Sequence, residues 1–196
     1  MSLTKKQKQI IIGLILGDGF LQKTGLKNAR LRLEYSSKSE KYARWILGQL
    51  SNIFPRIHKL ERIHPLNQRR YGYIRLQSHA SPFFGKLQKK FYLAGKKSFF
   101  NANNYLNNWL TLGVWYLDDG HYIARDKQAE IYLPKLTTLE LTHLCQFLYE
   151  QFNLVAKPYC YKNKNGCRIR FDQISTKILM KDIDDEIKEL IPHKFH

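Results

Sequence analysis

Two segments about half the chain apart share one form, and that repetition limits what the chain can fold into. Ile10-Ile11-Ile12-Gly13-Leu14-Ile15-Leu16-Gly17-Asp18-Gly19 runs apolar and closes on Asp-Gly. Leu110-Thr111-Leu112-Gly113-Val114-Trp115-Tyr116-Leu117-Asp118-Asp119-Gly120 does the same. Each is preceded by polar residues and ends in glycine, as helices stopping at a C-terminal cap do. Apolar side chains fill nearly every position, so both helices should be buried on most sides.

The order of elements after each segment is repeated too. Arg30 to Tyr35 alternates polar and apolar residues, the period of a half-buried strand. Ser39 to Phe54 reads as a helix with Tyr42, Trp45, Ile46, Leu50 and Ile53 on one face. Ile57 to Ile63 and Tyr71 to Gln77 form a hairpin around Pro65-Leu66-Asn67-Gln68, and Ser81 to Leu93 is a closing helix. In the second half Ala129 to Leu133 is strand-like, and Leu136 to Phe152 is a helix that Thr137 and Glu140 can cap. Val155 to Tyr161 and Cys167 to Asp172 pair around Asn165-Gly166, and Ser175 to Ile191 is a last helix stopped by Pro192. The reading is α+β, two tandem halves of helix, two strands, helix, two strands, helix, divided as 1–104 and 105–196 at an asparagine-rich connector.

If the two apolar helices pack together, Gly13 and Gly17 offer a flat strip for close approach, and Asp18 and Asp119 fall side by side. Two carboxylates at helix C-termini face the negative end of each dipole and repel one another. A divalent cation reverses both costs, which points to a hard-cation site of oxygen ligands, with Mg²⁺ as occupant. One Asp-Gly is ordinary turn chemistry; two copies on such apolar helices are not.

Charge points to the partner. Lys and Arg number 33 against 16 Asp and Glu, a formal charge of +17, with 43% hydrophobic residues to build a core. That balance suits a polyanion and predicts binding that weakens steeply with salt. Arg30, Arg32 and Glu34 face away from Leu31, Leu33 and Tyr35. Arg62 projects near Gln68, Arg69 and Arg70, and Arg75 and Gln77 alternate with Ile74 and Leu76. In the second half the corresponding rows are Glu130 with Tyr132, Arg168 with Arg170, and Lys157, Tyr159 and Tyr161, joined by Tyr122 and Arg125. Such rows can read base edges. Lys23, Lys27, Lys162 and Lys164 sit at loop tips, placed for phosphates.

The chain holds no apolar run long enough to span a membrane, and its start lacks the small-residue cleavage site of a secretion signal. Three cysteines, Cys145, Cys160 and Cys167, are an odd number. Cys160 and Cys167 could meet across a hairpin, but the count favours reduced thiols and with them a reducing interior, whether organellar or bacterial or archaeal cytoplasm. A zinc site lacks paired ligand spacing.

The segments Gly13 to Gly19 and Leu112 to Gly120 resemble the two signature helices of single-chain LAGLIDADG homing endonucleases, and the resemblance extends over almost the whole length, closest to the yeast mitochondrial intron branch. It implies a pseudo-twofold tandem repeat of αββαββα halves whose antiparallel sheets form a saddle in the DNA major groove. The last acid of each signature helix then binds metal, here Asp18 and Asp119, with Gly17 and Asp118 as their neighbours in the metal set. Mn²⁺ is implied as a substitute and Ca²⁺ as an ion that binds without supporting cleavage. A lysine after the third helix of each half approaches the active centre in this branch, which corresponds to Lys97 and Lys194. The implied activity is metal-dependent double-strand cleavage of a long site by a monomer, in intron or intein homing. The same scaffold resembles intron maturases, which would make intron RNA a partner, and catalytically silent DNA-binding relatives. One departure is that Ile12 stands opposite Gly113, and Val114 opposite Gly13.

Overall fold

The computed structural model describes residues 3–63, 65–160 and 166–195. Its elements run α1 (Lys5–Leu16), β1 (Phe20–Lys23), β2 (Ala29–Ser36), α2 (Glu40–Gln49), β3 (Ile57–Ile63), β4 (Arg70–Gln77) and α3 (Pro82–Phe91), followed by a short hairpin of β5 (Tyr92–Leu93) and β6 (Lys96–Lys97). Then come α4 (Trp109–Asp119), β7 (Gly120–Ile123), β8 (Gln128–Pro134), α5 (Thr138–Phe152), β9 (Ala156–Cys160), β10 (Gly166–Phe171), α6 (Gln173–Asp182) and α7 (Asp185–Lys188). The αββαββα order therefore occurs twice. By contact the chain groups into one unit of residues 1–17 with 91–196 and another of 18–90. This grouping follows contacts, whereas the halves 1–104 and 105–196 divide the repeated pattern.

Both four-stranded sheets are antiparallel with the same order, β1-β2-β4-β3 in the smaller unit and β7-β8-β10-β9 in the larger. Alternation fixes their faces. Leu31, Leu33 and Tyr35 are buried while Arg30, Arg32 and Glu34 lie on the other side, and Ile74 and Leu76 are buried between Tyr73, Arg75 and Gln77. Cys167, Ile169 and Phe171 likewise alternate with Arg168 and Arg170.

Local chemistry explains the helix starts. Thr4 and Gln7 form a capping box on α1, Thr137 and Glu140 form the expected one on α5, and the Asn108 side chain accepts from the Thr111 amide at 2.8 Å. Ile10 to Leu16 and Thr111 to Leu117 are buried, as two nearly all-apolar helices require. They pack against each other in the larger unit, pinned by a 3.1 Å bond from the Thr111 hydroxyl to the Gln9 carbonyl.

Some expectations are corrected. The last helix is not continuous from Ser175 to Ile191. Ile183 is extended, and Asp184 caps a new helix by accepting from the Glu186 amide at 2.9 Å. The break turns buried Ile183 and Ile187 toward Gly113, whose added Cβ would lie 3.2 Å from Ile183. The closing helix of the first half ends at Phe91, where the β5–β6 hairpin turns through Ala94 and Gly95 at positive φ. The register departure has the same cause: Gly113 serves α6 and α7, while Gly13 faces Thr111 and Val114 of α4.

The cysteines differ as well. Cys160 and Cys167 are register partners across β9 and β10 and form a disulfide, with Cα atoms 4.2 Å apart. Cys145 is free, and burial pushes its thiol up to about 11. Three free thiols, the premise of the reducing-compartment reading, are therefore not what the structure holds. Thiol titration of the unreduced native protein at pH 8 should accordingly show no fast-reacting group, denaturant should release one, and prior reduction should release three. A fast native thiol, from exposed Cys160, would mean the hairpin is unbridged.

Candidate active site and nucleic-acid interface

The ends of α1 and α4 carry the candidate chemistry. In the larger unit, a Cβ on Gly13 would lie 2.7 Å from both the Thr111 carbonyl oxygen and Val114 Cβ, and one on Gly17 would run into the Asp118 side chain. Glycine at these two positions is what lets the helices approach so closely. Asp119 is the final residue of α4, and its carboxylate accepts from Trp115 Nε1 at 3.3 Å. It shares a cleft of about 320 Å³ with Gly17, Lys97 and Tyr132.

Helix C-termini leave carbonyls unpaired and carry negative partial charge. Both lysines answer that. Lys97, at the end of the β5–β6 hairpin, donates from Nζ to the Gly17 carbonyl at the α1 terminus. Lys194 donates to the Leu117 and Asp118 carbonyls of α4 at 2.6 and 2.7 Å. The segment bearing Lys194 is fastened in turn, because the Tyr116 hydroxyl donates to the Lys194 carbonyl at 2.9 Å and the Tyr116 ring packs on buried Phe195. Burial first, and then the charges of Glu130 and Tyr122, push the Tyr116 phenol far above its ordinary range, so it remains a donor. Each cation is worth about 0.3–1 kcal/mol to its helix end and places positive charge beside a carboxylate-bearing terminus.

In the smaller unit, Asp18 is exposed and lines a cleft of about 380 Å³ with Phe20, Arg32 and Glu34. Among the described residues no group of three or more His, Cys, Asp or Glu side chains gathers into a metal cage.

The polar sheet faces hold most of the predicted nucleic-acid residues. Arg30, Arg32, Arg75 and Gln77 are half-buried in the smaller unit, with Arg62, Gln68, Arg69, Arg70, Lys23 and Lys27 exposed on the outer strand and loops. In the larger unit Lys157, Tyr159 and Tyr132 are exposed and Tyr122 is half-buried, while Arg125 pairs with Asp126 at 2.7 Å. Tyr161, Lys162 and Lys164 lie outside the described residues. The two acids stand apart from the rest. Glu130 is 1% exposed beneath Arg168 and Arg170, and Glu34 is gripped by Arg32 and Arg75. Burial works against ionisation of Glu34, and its bonds to Arg32 and Arg75 outweigh that, holding its carboxyl below the usual range.

Sequence reasoning missed Trp115, although its place four residues before Asp119 is the helical contact spacing. It also missed Tyr73, whose ring lies under Arg62 and Arg75 at 5.0 and 5.6 Å. Among the described residues no helix is long and apolar enough to cross a membrane.

Comparison with known proteins agrees with this geometry. The homing endonuclease I-WcaI, solved bound to its DNA recognition sequence, superposes with a TM-score of 0.83 at 23% identity, over 100% of this chain and 88% of that one. Full-length DUF199/WhiA from Thermatoga maritima gives 0.55 at 16% identity, over 98% and 61%, and I-DmoI variants give 0.51 at 13%, over 91% and 94%. These likenesses establish a shared fold. Among curated sequences, "Protein RecA" of Mycobacterium shimoidei is 27% identical over 129 residues, which is 64% of this chain and 28% of that protein. The corresponding protein of Mycobacterium leprae is 27% identical over 133 residues, 65% and 17%. The chain thus spans less than a third of the curated relatives it matches. A family model matches residues 8–179, nearly the whole chain, and on that match the chain belongs to the LAGLIDADG DNA endonuclease family.

Proposed function

We propose that the chain is a site-specific DNA endonuclease that hydrolyses one phosphodiester in each strand of a long recognition sequence, acting as a monomer in intron or intein homing. The observation that supports this most is the duplicated helix end: an apolar helix closing on an acid, a lysine on its terminal carbonyls, and an arginine-rich sheet after it, twice in one chain.

Asp18 and Asp119 are oxygen donors at the electronegative ends of helices, the donor type a hard divalent cation selects. Asp18 in the smaller unit and Asp119 in the larger would each offer carboxylate oxygens to such a cation, with water and substrate phosphates as further donors. A bound Mg²⁺ would supply charge stabilisation at the scissile phosphate and a water of lowered pKa. Trp115 fixes the Asp119 carboxylate by donating to one of its oxygens. Lys97 and Lys194 keep positive charge at the two helix ends, where charge develops on a phosphate under attack. The sheet arginines supply base contacts, and Lys23 and Lys27 phosphate contacts. I-DmoI has been solved in complex with DNA and Mn and with DNA and Ca, which supports the use of a divalent ion.

The test is cleavage of an insertion-site or randomised duplex library with Mg²⁺, beside Ca²⁺ and the Asp18→Asn protein. Discrete Mg²⁺-dependent double-strand cuts, absent from both controls, are the expected result. Specific binding without any cut would overturn the endonuclease reading in favour of a silent DNA-binding relative, and preference for structured intron RNA would favour the maturase reading.

A further inference from the structure

Resting on the endonuclease reading, we propose that Glu34 and Glu130 are positioning residues for base recognition, each setting the angle at which a group of sheet arginines meets the DNA and not touching a base itself. The two acids hold equivalent places. Each lies on the second strand of its sheet, on the polar face, with an arginine as its register partner on the adjacent strand: Glu34 opposite Arg75, and Glu130 opposite Arg170.

The contacts are many for single carboxylates. Arg170 donates to Glu130 Oε2 from Nε and Nη2 at 3.1 and 3.0 Å, and Arg168 Nη1 lies 3.1 Å from the same oxygen. Arg75 donates from Nε to Glu34 Oε1 at 2.7 Å, Arg32 donates to that oxygen, and Arg62 reaches Oε2 at 3.4 Å. A tyrosine ring backs each group. Tyr159 lies 5.5 and 5.6 Å from the guanidinium carbons of Arg168 and Arg170, and Tyr73 serves Arg62 and Arg75.

Stability alone is a weak reason for this arrangement. A carboxylate as buried as Glu130 loses its hydration, and ion pairs so enclosed commonly add nothing over apolar packing. Recognition is a stronger one. An unheld arginine spreads over many rotamers, and its base contact is then loose. With Nε and Nη2 of Arg170 held on Glu130, only Nη1 remains, 4.0 Å from Asp126, and with Arg125 on Asp126 the arginines still outnumber the acids in both groups, so each keeps net positive charge toward DNA. A well-held arginine on guanine discriminates against the wrong base by about 5- to 150-fold.

The experiment selects bound duplexes from a randomised library in Ca²⁺ with the full chain, comparing wild type, Glu34→Gln, Glu130→Gln and Glu150→Gln. The last is an exposed residue of α5 that supplies the same charge change elsewhere. The expected result is a defined wild-type site, unchanged in Glu150→Gln, with discrimination lowered about tenfold over one short block of base pairs in Glu130→Gln and over a different block in Glu34→Gln, while binding to random DNA tightens. A merely structural role would weaken binding evenly or lower the melting temperature and leave the selected sequence intact. Unchanged discrimination in both variants overturns the proposal. A wild type that selects no site overturns the endonuclease reading together with it, a result separable from the first. If Glu130→Gln melts, the half-exposed Glu34 decides the matter alone, since its substitution leaves no deeply buried cation unpaired.

Discussion

Asp119→Asn should lower the rate of DNA cleavage roughly a thousandfold, about 4 kcal/mol of transition-state stabilisation, while changing DNA affinity in Ca²⁺ by less than about tenfold. The substitution is isosteric, and the amide oxygen can still accept from Trp115 Nε1, so the end of α4 keeps its geometry. What disappears is one negative charge at the site proposed to hold a divalent cation. Asp18→Asn should behave alike. Asp118→Asn is the informative contrast. The main-chain carbonyl of Asp118, which accepts from Lys194 at 2.7 Å, survives the change, and its side chain stands against Gly17, so a loss of under about tenfold is expected. Single-turnover cleavage of a supercoiled target plasmid measures all three. Full double-strand cutting by both Asp18→Asn and Asp119→Asn would end the assignment, and equal losses at Asp118 and Asp119 would make both part of the metal set.

The repeat was legible because each half meets the same physical demands twice. An all-apolar helix must be buried, a strand of alternating Arg and Leu must have one wet face, and Thr137 with Glu140 can cap a helix wherever the chain goes next. What stayed hidden depends on partners distant in sequence. The break at Ile183 is set by its packing toward Gly113, which no local propensity records. The pairing of Cys160 with Cys167 depends on hairpin register, where one residue of slip would place them on opposite faces.

The candidate site divides in the same way. Asp18 and Asp119 stood out because a carboxylate at the end of an apolar helix is costly in isolation. Family resemblance points to the lysines, and the structure supplies their physical reason: carbonyls at two helix termini that need donors. Alternation put Glu34 and Glu130 on the polar face, yet it could not show that longer arginine side chains close over the shorter glutamates. A polar position in a strand pattern specifies a face and leaves exposure on that face to its neighbours.

Gly13→Val should destabilise the protein by about 3 kcal/mol and lower its melting temperature by roughly 6–12 °C. Glycine inside a helix ordinarily costs about 0.5–1 kcal/mol relative to alanine, so its replacement should help wherever space permits. At Gly13 the sign reverses. The first added carbon already lies 2.7 Å from the Thr111 carbonyl oxygen and from Val114 Cβ. That carbonyl belongs to the α4 backbone and cannot turn aside as a side-chain tip could, so the helices must separate, straining the bond from the Thr111 hydroxyl to Gln9. Valine adds two methyl groups to that conflict. Gly48 of α2 is the matched control: it is exposed, a Cβ there meets nothing within 4 Å, and Gly48→Ala should raise the melting temperature by roughly 1–4 °C. Gly13→Ala should still fall below wild type. Thermal melts of the three variants decide the matter, because a Gly13→Ala protein stabilised as much as Gly48→Ala would mean that α1 and α4 do not approach at Gly13.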